Sequence, residues 1–231
     1  MISWEANCLS EVAGLEVDHA FIGCARGAPE AEALLHLGFV EGPGNTHPGQ
    51  GTANRRFFFE NFMLELVWVS DPAEVQNDRT RRTRLWERCG SRDSMVSPFG
   101  IIFRPLGEQA APAPFPTWDY APIYLPPGMT MQVAEGTTLK EPELFYLPFL
   151  RRAERGSDVQ HAPPIRRICS LSVGMRGSAE LSAASRCAER HGLVSYFESA
   201  QPVLEIRFAG PAGLRFDLRP ALPLIFLSKA G

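Results

Sequence analysis

The chain has 231 residues, 45% of them hydrophobic and 21% charged, with a formal net charge of −3. That is long enough for a sizeable core, as one large domain or two small ones, and the charge balance argues against a surface built to hold nucleic acid or a membrane. No apolar run approaches the roughly 18 residues of a spanning helix, and the start, "MISWEANCLSEVAGLEVDH", has acids where a signal peptide needs a basic flank. A cytoplasmic protein is expected.

The first element in chain order is "GLEVDHAFIGC" (14–24), a strand with no helical period. "APEAEALLHLG" (28–38) reads as a short helix, with proline at its start and Gly38 as its stop. "FVEG" begins another strand, and the turn-rich "GPGNTHPGQGTAN" (42–54) reads as a loop. "RRFFFE" and "FMLELVWV" then read as an antiparallel hairpin. "DPAEVQNDRTRRTRLWERC" is expected to be a solvated helix capped by Asp71, since acids are interspersed among its arginines. "PFGIIFRP" and "ELFYLPFL" are expected as additional strands, with proline-rich tracts around them that carry large aromatics.

From residue 165 the order repeats: the strand "IRRICSLSVGM", a helix over 178–192 capped by Ser178, and three strands, "LVSYFES", "PVLEIRFAG" and "LRFDLRPALPLIF". His19 and Glu65 are 46 residues apart, and Ser170 and Asp217 are 47 apart at matching places in the second unit. A duplicated module is the economical reading. The expected division is a first module at 14–70, a connecting stretch at 71–164 and a second module at 165–228. The five cysteines (Cys8, Cys24, Cys89, Cys169 and Cys187) are odd in number and form no C-x-x-C pair. Neither a zinc knuckle nor a disulfide framework is expected, and Cys24 and Cys169 read as small core residues.

Two polar residues stand on apolar faces. Side chains alternate along a strand, so Met63, Glu65, Val67 and Val69 share a face, with Glu65 its one charge. Leu15, Val17, His19, Phe21 and Gly23 are likewise expected on one face, with His19 its one polar member. A lone histidine of this kind is more often a core residue bonded to one carbonyl, and a lone glutamate more often has an arginine partner, here Arg55 or Arg56. Together, an imidazole and a carboxylate from the first and last strands of one module make a donor set for Zn, Mn, Fe, Ni or Co. Without a metal, Glu65 is a candidate general base.

The plan resembles the vicinal oxygen chelate superfamily, and more closely its bacterial glyoxalase-like domain proteins. The likeness is carried by Asp18-His19 and by "HPGQGTANRRFFFENFMLELVWV" (47–69), with its H-P-G-x-G-T-x-N stretch and L-E-L strand. "SPFGIIFRP", "PTWDYAPIYLPPG" and "LRPALPLIF" extend it over most of the chain. The resemblance implies an α+β fold: two βαβββ modules forming a cupped, open barrel-like mixed sheet with extra strands between them. It also implies a small oxygen-rich metabolite bound between the modules, and a divalent metal held by His19, Glu65 and Asp217. Ser170 stands at the fourth ligand position, where serine is a poor donor that His47, His161 or water would have to replace.

Glu65 and His47 are the expected catalytic residues, and Thr52, Asn54, Trp118 and Tyr120 the expected substrate contacts. The expected function is a metal-assisted lyase, isomerase or dioxygenase; the rival is a metal-free protein that sequesters a drug or metabolite. No nucleic-acid or membrane partner is expected, and the chain would act as a monomer or homodimer.

Overall fold

A computed structural model describes residues 14–90, 95–107, 112–151 and 159–229; the acidic start and Cys8 lie outside these residues. The first unit runs β1 (Leu15–Gly23), α1 (Ala31–His36), β2 (Gly42–His47), β3 (Thr52–Phe58) and β4 (Met63–Val69). Its strands lie in the order β2-β3-β4-β1, with β1 parallel to β4 and the other two pairs antiparallel. The stretch 42–54, expected as a loop, is instead two strands joined by a tight turn at 48–51. The glycines and Pro43 are tolerated because β2 is the sheet's edge and most of it is exposed.

The arginine-rich segment is not one helix. It comprises α2 (Pro72–Val75), a single 3-10 turn at Arg81–Thr83 and α3 (Leu85–Gly90). Asp71 caps α2 as expected, accepting from the Ala73 and Glu74 amides. The Asn77 side chain then accepts from the Arg79 and Thr80 amides, which offers the backbone an alternative to continuing the helix.

Four strands follow: β5 (Phe99–Pro105), β6 (Thr117–Tyr120), β7 (Met131–Ala134) and β8 (Glu143–Tyr146). β5 pairs antiparallel with β1 and parallel with β8, while β8–β7 and β7–β6 are antiparallel. The whole sheet therefore reads β2-β3-β4-β1-β5-β8-β7-β6. β5 to β8 repeat the strand pattern of β1 to β4 about the β1/β5 seam.

That finding relocates the repeat. The expected second module, 165–228, contains β9 (Ile168–Met175), α4 (Ala183–Arg190), β10 (Ser195–Glu198), β11 (Val203–Phe208), β12 (Arg215–Asp217) and β13 (Leu224–Ser228). These strands form a separate five-stranded sheet ordered β10-β9-β11-β13-β12. Its last strand runs beside β11 and not beside β9, unlike β4 beside β1. The fold is thus α+β with two open mixed sheets. α4 starts at Ser182, whose side chain accepts from the Ser185 amide, and not at Ser178, which opens a 3-10 turn.

No helix joins β5 to β6 among the described residues, and α4 docks beside that connection. The Cys187 thiol donates to the Pro114 carbonyl and the Ser182 amide to Glu141 Oε1. Ala184, Cys187 and Ala188 join Phe103, Phe115, Leu144 and Tyr146 in one core, which also contains Leu171, Ile206 and Phe226 from the second sheet. Cys24 is a buried free thiol as expected, whereas Cys169 is disulfide-bonded; a count of cysteines carries no pairing geometry. No helix among the described residues is long and apolar enough to cross a membrane.

His161, ahead of β9, is tied to the first unit. Its Nδ1 accepts from the Val40 amide at 3.0 Å, so Nε2 carries the hydrogen and donates to the Phe58 carbonyl, also at 3.0 Å. Burial holds its pKa below the usual 6.5, against the opposing effect of the Phe58 bond. A depressed histidine pKa means the unfolded chain takes up the proton first, so the contribution to stability is intact above pH 6.5 and is lost as pH falls below it. Urea unfolding between pH 7.5 and 5.5 is expected to show this decline, and His161→Gln is expected to flatten it.

Candidate functional site

A β-bulge between Val17 and His19, seen as a register shift against β5, sets the site. Leu15 and Val17 face the main core, but so do Ala20 and Ile22. The extra residue therefore moves His19 and Phe21 to the opposite face from Val17, correcting the simple alternation expected of this strand. On β4 the expected alternation holds: Leu64, Leu66 and Trp68 pack on the main core, while Val67 and Val69 pack on the other side. Glu65 lies across from Phe21 and two pairs along from His19 in the parallel register.

His19, Glu65 and His47 line one cavity of about 220 Å³. Phe21 and Val67 add to it from the same unit, Ile102 from β5, Phe145 from β8 with Leu147 just after it, and Leu85 from α3. Tyr124 and Leu125 come from the β6–β7 connection, and Phe149 and Leu150 follow β8. The acid and both histidines belong to β1–β4, and the β5–β8 side is apolar apart from the Tyr124 hydroxyl.

Each polar group is held from behind. Asp18 Oδ2 lies 2.6 Å from His19 Nδ1, and Asp18 Oδ1 lies 2.8 Å from Arg104 Nε. Arg104 also pairs with Glu16 at 2.7 Å, and all three partners are buried. With Nδ1 engaged by Asp18, Nε2 is the ring nitrogen of His19 left to the cavity. Asn54 Nδ2 donates to Glu65 Oε1 at 3.0 Å, and Asn54 Oδ1 accepts from the Asn45 amide at 2.8 Å. One oxygen of Glu65 is thereby fixed and the other is left to the cavity.

His47 is set by a longer chain. The Tyr120 hydroxyl donates to Gln50 Oε1, and Gln50 Nε2 donates to Thr52 Oγ1. Thr52 Oγ1 lies 2.9 Å from His47 Nδ1, and its own hydrogen is left for that nitrogen. In that tautomer His47 carries its N–H on Nε2. Burial lowers the pKa of His47, with Glu65 opposing and Arg56 and His19 assisting, so the ring is a neutral donor. Tyr124 packs over it with ring centroids 4.9 Å apart.

The H-P-G-x-G-T-x-N stretch is therefore a built unit: His47, Thr52 and Asn54 are cross-strand neighbours on β2 and β3, and Gln50 reaches back from the turn. Gly51 has φ +76°, and a Cβ there would lie 2.4 Å from the Asp71 carbonyl oxygen, which is why the turn needs glycine.

Thr52, Asn54 and Tyr120 thus act behind His47 and Glu65. Trp118 faces a separate groove, under Arg82 at 4.3 Å. Asp217 is on β12 of the second sheet, paired with Arg215 and Arg219; hydrogen bonding from Arg219 holds its carboxyl well below the usual range. The structure does not bring Asp217, Ser170 or His161 to the cavity. Sequence reasoning missed Arg104, Gln50 and the Asp18–His19 bond; the buried charges of β1 and β5 were the available signal, but register was needed to pair them.

A divalent metal is the cofactor implied by the resemblance. His19 Nε2 and Glu65 are suitable donors, but metal centres of this kind take three or four protein ligands. Where further ligands would come from β5 and β8, the cavity has Ile102, Phe145 and Leu147. No group of three or more His, Cys, Asp or Glu side chains that could hold a metal ion occurs among the described residues. The donor set does not fit the metal.

Gly100 makes the cavity floor possible. A Cβ there would fall 2.0 Å from a ring carbon of Phe21, so Gly100→Ala is expected to displace that ring. Overpacking of this kind costs about 1–3 kcal/mol, measurable as a lower midpoint in urea, with the cavity narrowed from the Phe21 side.

The first sheet is thus an open sheet of two like-patterned four-strand units with a cavity on one face. Residues 17–104 match the family model of the glyoxalase-like domain, a span that includes His19, His47 and Glu65. No curated protein matches the chain closely enough to be called a relative. Among solved structures, it is similar to a hypothetical protein from Staphylococcus aureus, at 10% identity and a TM-score of 0.51, over 93% of this chain and 100% of that one. A mutant of 4-hydroxymandelate synthase from Streptomyces coelicolor matches at 14% identity and a TM-score of 0.42, over 92% of this chain and 62% of that one.

Proposed function

We propose that this glyoxalase-like protein is an enzyme that moves a proton on a small carbonyl-bearing molecule held in the β1–β8 cavity. The observation that carries this reading is the matched fixing of three groups around one space: a carboxylate oxygen on Glu65, a basic nitrogen on His19 and an N–H on His47. Glu65 takes the proton from the carbon next to the carbonyl, and the electron pair moves onto the carbonyl oxygen. His47 Nε2–H bonds that oxygen as charge develops there. Return of the proton, with His19 as a second carrier, completes an isomerisation or an exchange with solvent.

The test is incorporation of deuterium from D2O next to the carbonyl of a panel of small ketones and aldehydes, followed by proton NMR. Protein-dependent exchange that Glu65→Gln abolishes is expected. Ligands that bind without exchange would replace this reading with the sequestering one, which the apolar wall also supports. The metal-assisted alternative is checked on the same protein: a chelator is expected to leave both melting temperature and exchange rate unchanged. Near-stoichiometric Zn, Mn, Fe, Ni or Co, lost in His19→Ala, would reinstate the metal. Cytoplasmic location and action as a monomer or homodimer belong to the same proposal.

A further inference from the structure

The polarity of the cavity, and not its volume, carries a statement about the ligand. Its acid and both histidines lie on the β1–β4 wall, while Ile102, Phe145 and Leu147 opposite present only carbon, and the Tyr124 hydroxyl between them is turned to Gln50 Oε1 at 3.5 Å. A ligand filling this space must have a polar end and an apolar body. Sugars and other oxygen-rich molecules would leave hydroxyls unpaired against Phe145 and Leu147, which is costly.

Charge narrows the class further. Among the described lining residues there is no lysine or arginine, and Glu65 is the one acid. Arg104, the arginine on β5, is held by Glu16 and Asp18. An anionic ligand end would meet the Glu65 carboxylate in apolar surroundings, where like charges repel strongly. A cation would be attracted to Glu65 but gives His47 Nε2–H nothing to bond. An uncharged carbonyl compound satisfies both, with its oxygen accepting from His47 and its neighbouring C–H facing Glu65.

We infer that the cavity takes uncharged carbonyl compounds with an aromatic or branched apolar body, the carbonyl lying toward His47 and Glu65 and the body against Ile102 and Phe145, and that it rejects anions of the same shape. This rests on the acid–base reading for the placement of the carbonyl, but it is read by binding alone.

Four probes sharing size or skeleton test it by calorimetry or ligand-detected NMR: phenylacetone (neutral), phenylacetate (anion), phenethylamine (cation) and dihydroxyacetone (neutral, without an apolar body). Phenylacetone is expected to bind at least tenfold more tightly than each of the others. Glu65→Gln is expected to reduce the preference for phenylacetone over phenylacetate at least threefold, while Phe145→Ala weakens phenylacetone about tenfold. Phenylacetate binding as tightly as phenylacetone would overturn the inference, as would tighter binding of phenethylamine or dihydroxyacetone, or no binding of phenylacetone at millimolar concentration to protein with an intact melting transition. Phenylacetone that binds as expected but exchanges no deuterium would leave the ligand class standing and remove the proton-transfer reading.

Discussion

Glu65→Gln is expected to keep the fold and lose about 10²–10⁴-fold in the rate of deuterium exchange, the range that a positioned general base contributes. The substitution preserves shape, and the amide oxygen can still accept from Asn54 Nδ2, whose bond to Glu65 Oε1 is 3.0 Å long in the parent protein. The Asn54 Oδ1 bond to the Asn45 amide is untouched, so the β2–β3 hairpin has no reason to move. What disappears is the oxygen that can take a proton. The melting temperature should therefore stay within a few degrees while the exchange rate collapses. Asn54→Ala provides the contrast: it leaves the carboxylate but frees its orientation, so a smaller loss of exchange is expected, with ligand affinity less affected. Equal rates in parent and Glu65→Gln protein would show that the carboxylate does no chemistry in the cavity.

Much of the polar wall was legible in the sequence because carboxylates and imidazoles on apolar strand faces are costly without a purpose. Glu65 could be placed on its face from alternation alone. His19 lines the same cavity, but from a strand whose faces the sequence does not reveal, since nothing in "LEVDHAFIG" marks the extra residue that shifts the pleat. The H-P-G-x-G-T-x-N stretch flagged His47, Thr52 and Asn54, but its glycines suggested a loop. Edge position decides that, and edge position depends on the whole sheet. The repeat was misread for a related reason. β6 and β7 are four residues each, lie among prolines and have no helix before β6 among the described residues, so they lack the strand–helix–strand rhythm that made 165–228 look like the partner. Asp217 was assigned to the site through that alignment alone. Trp118 was assigned by residue type, and its strand turns it toward Arg82. The Asp18–Arg104 bridge depends on the β1/β5 register and was out of reach of any pattern within one strand.

Arg88→Met is expected to have the largest effect on stability. The guanidinium is fully buried and donates to the Ser97 and Glu141 carbonyls, both at 2.8 Å, as well as to Glu143 at 3.2 Å. Burial lowers its pKa, with Glu143 opposing. Glu143 is itself buried and is also held by Arg84 and by Thr137. Removing one cation does not leave this carboxylate alone, but it strips donors from two buried carbonyls and upsets the charge balance around Glu143. Breaking a buried ionic network costs about 3–5 kcal/mol, and methionine of similar length recovers part of the packing, so a loss toward the lower end is expected in urea. The consequence should reach the cavity. Arg88 sits on α3, the helix that presents Leu85 to the apolar space, and it ties that helix to the strand ends at Ser97 and Glu141. If α3 loosens, ligand affinity should fall even under conditions where the variant is folded. Arg88→Lys separates the two effects: it restores the charge but lacks the forked geometry needed to reach Ser97, Glu141 and Glu143 together. Stability equal to the parent in Arg88→Lys would mean that charge alone holds α3, whereas a loss close to that of Arg88→Met identifies the shared hydrogen bonds as the tie.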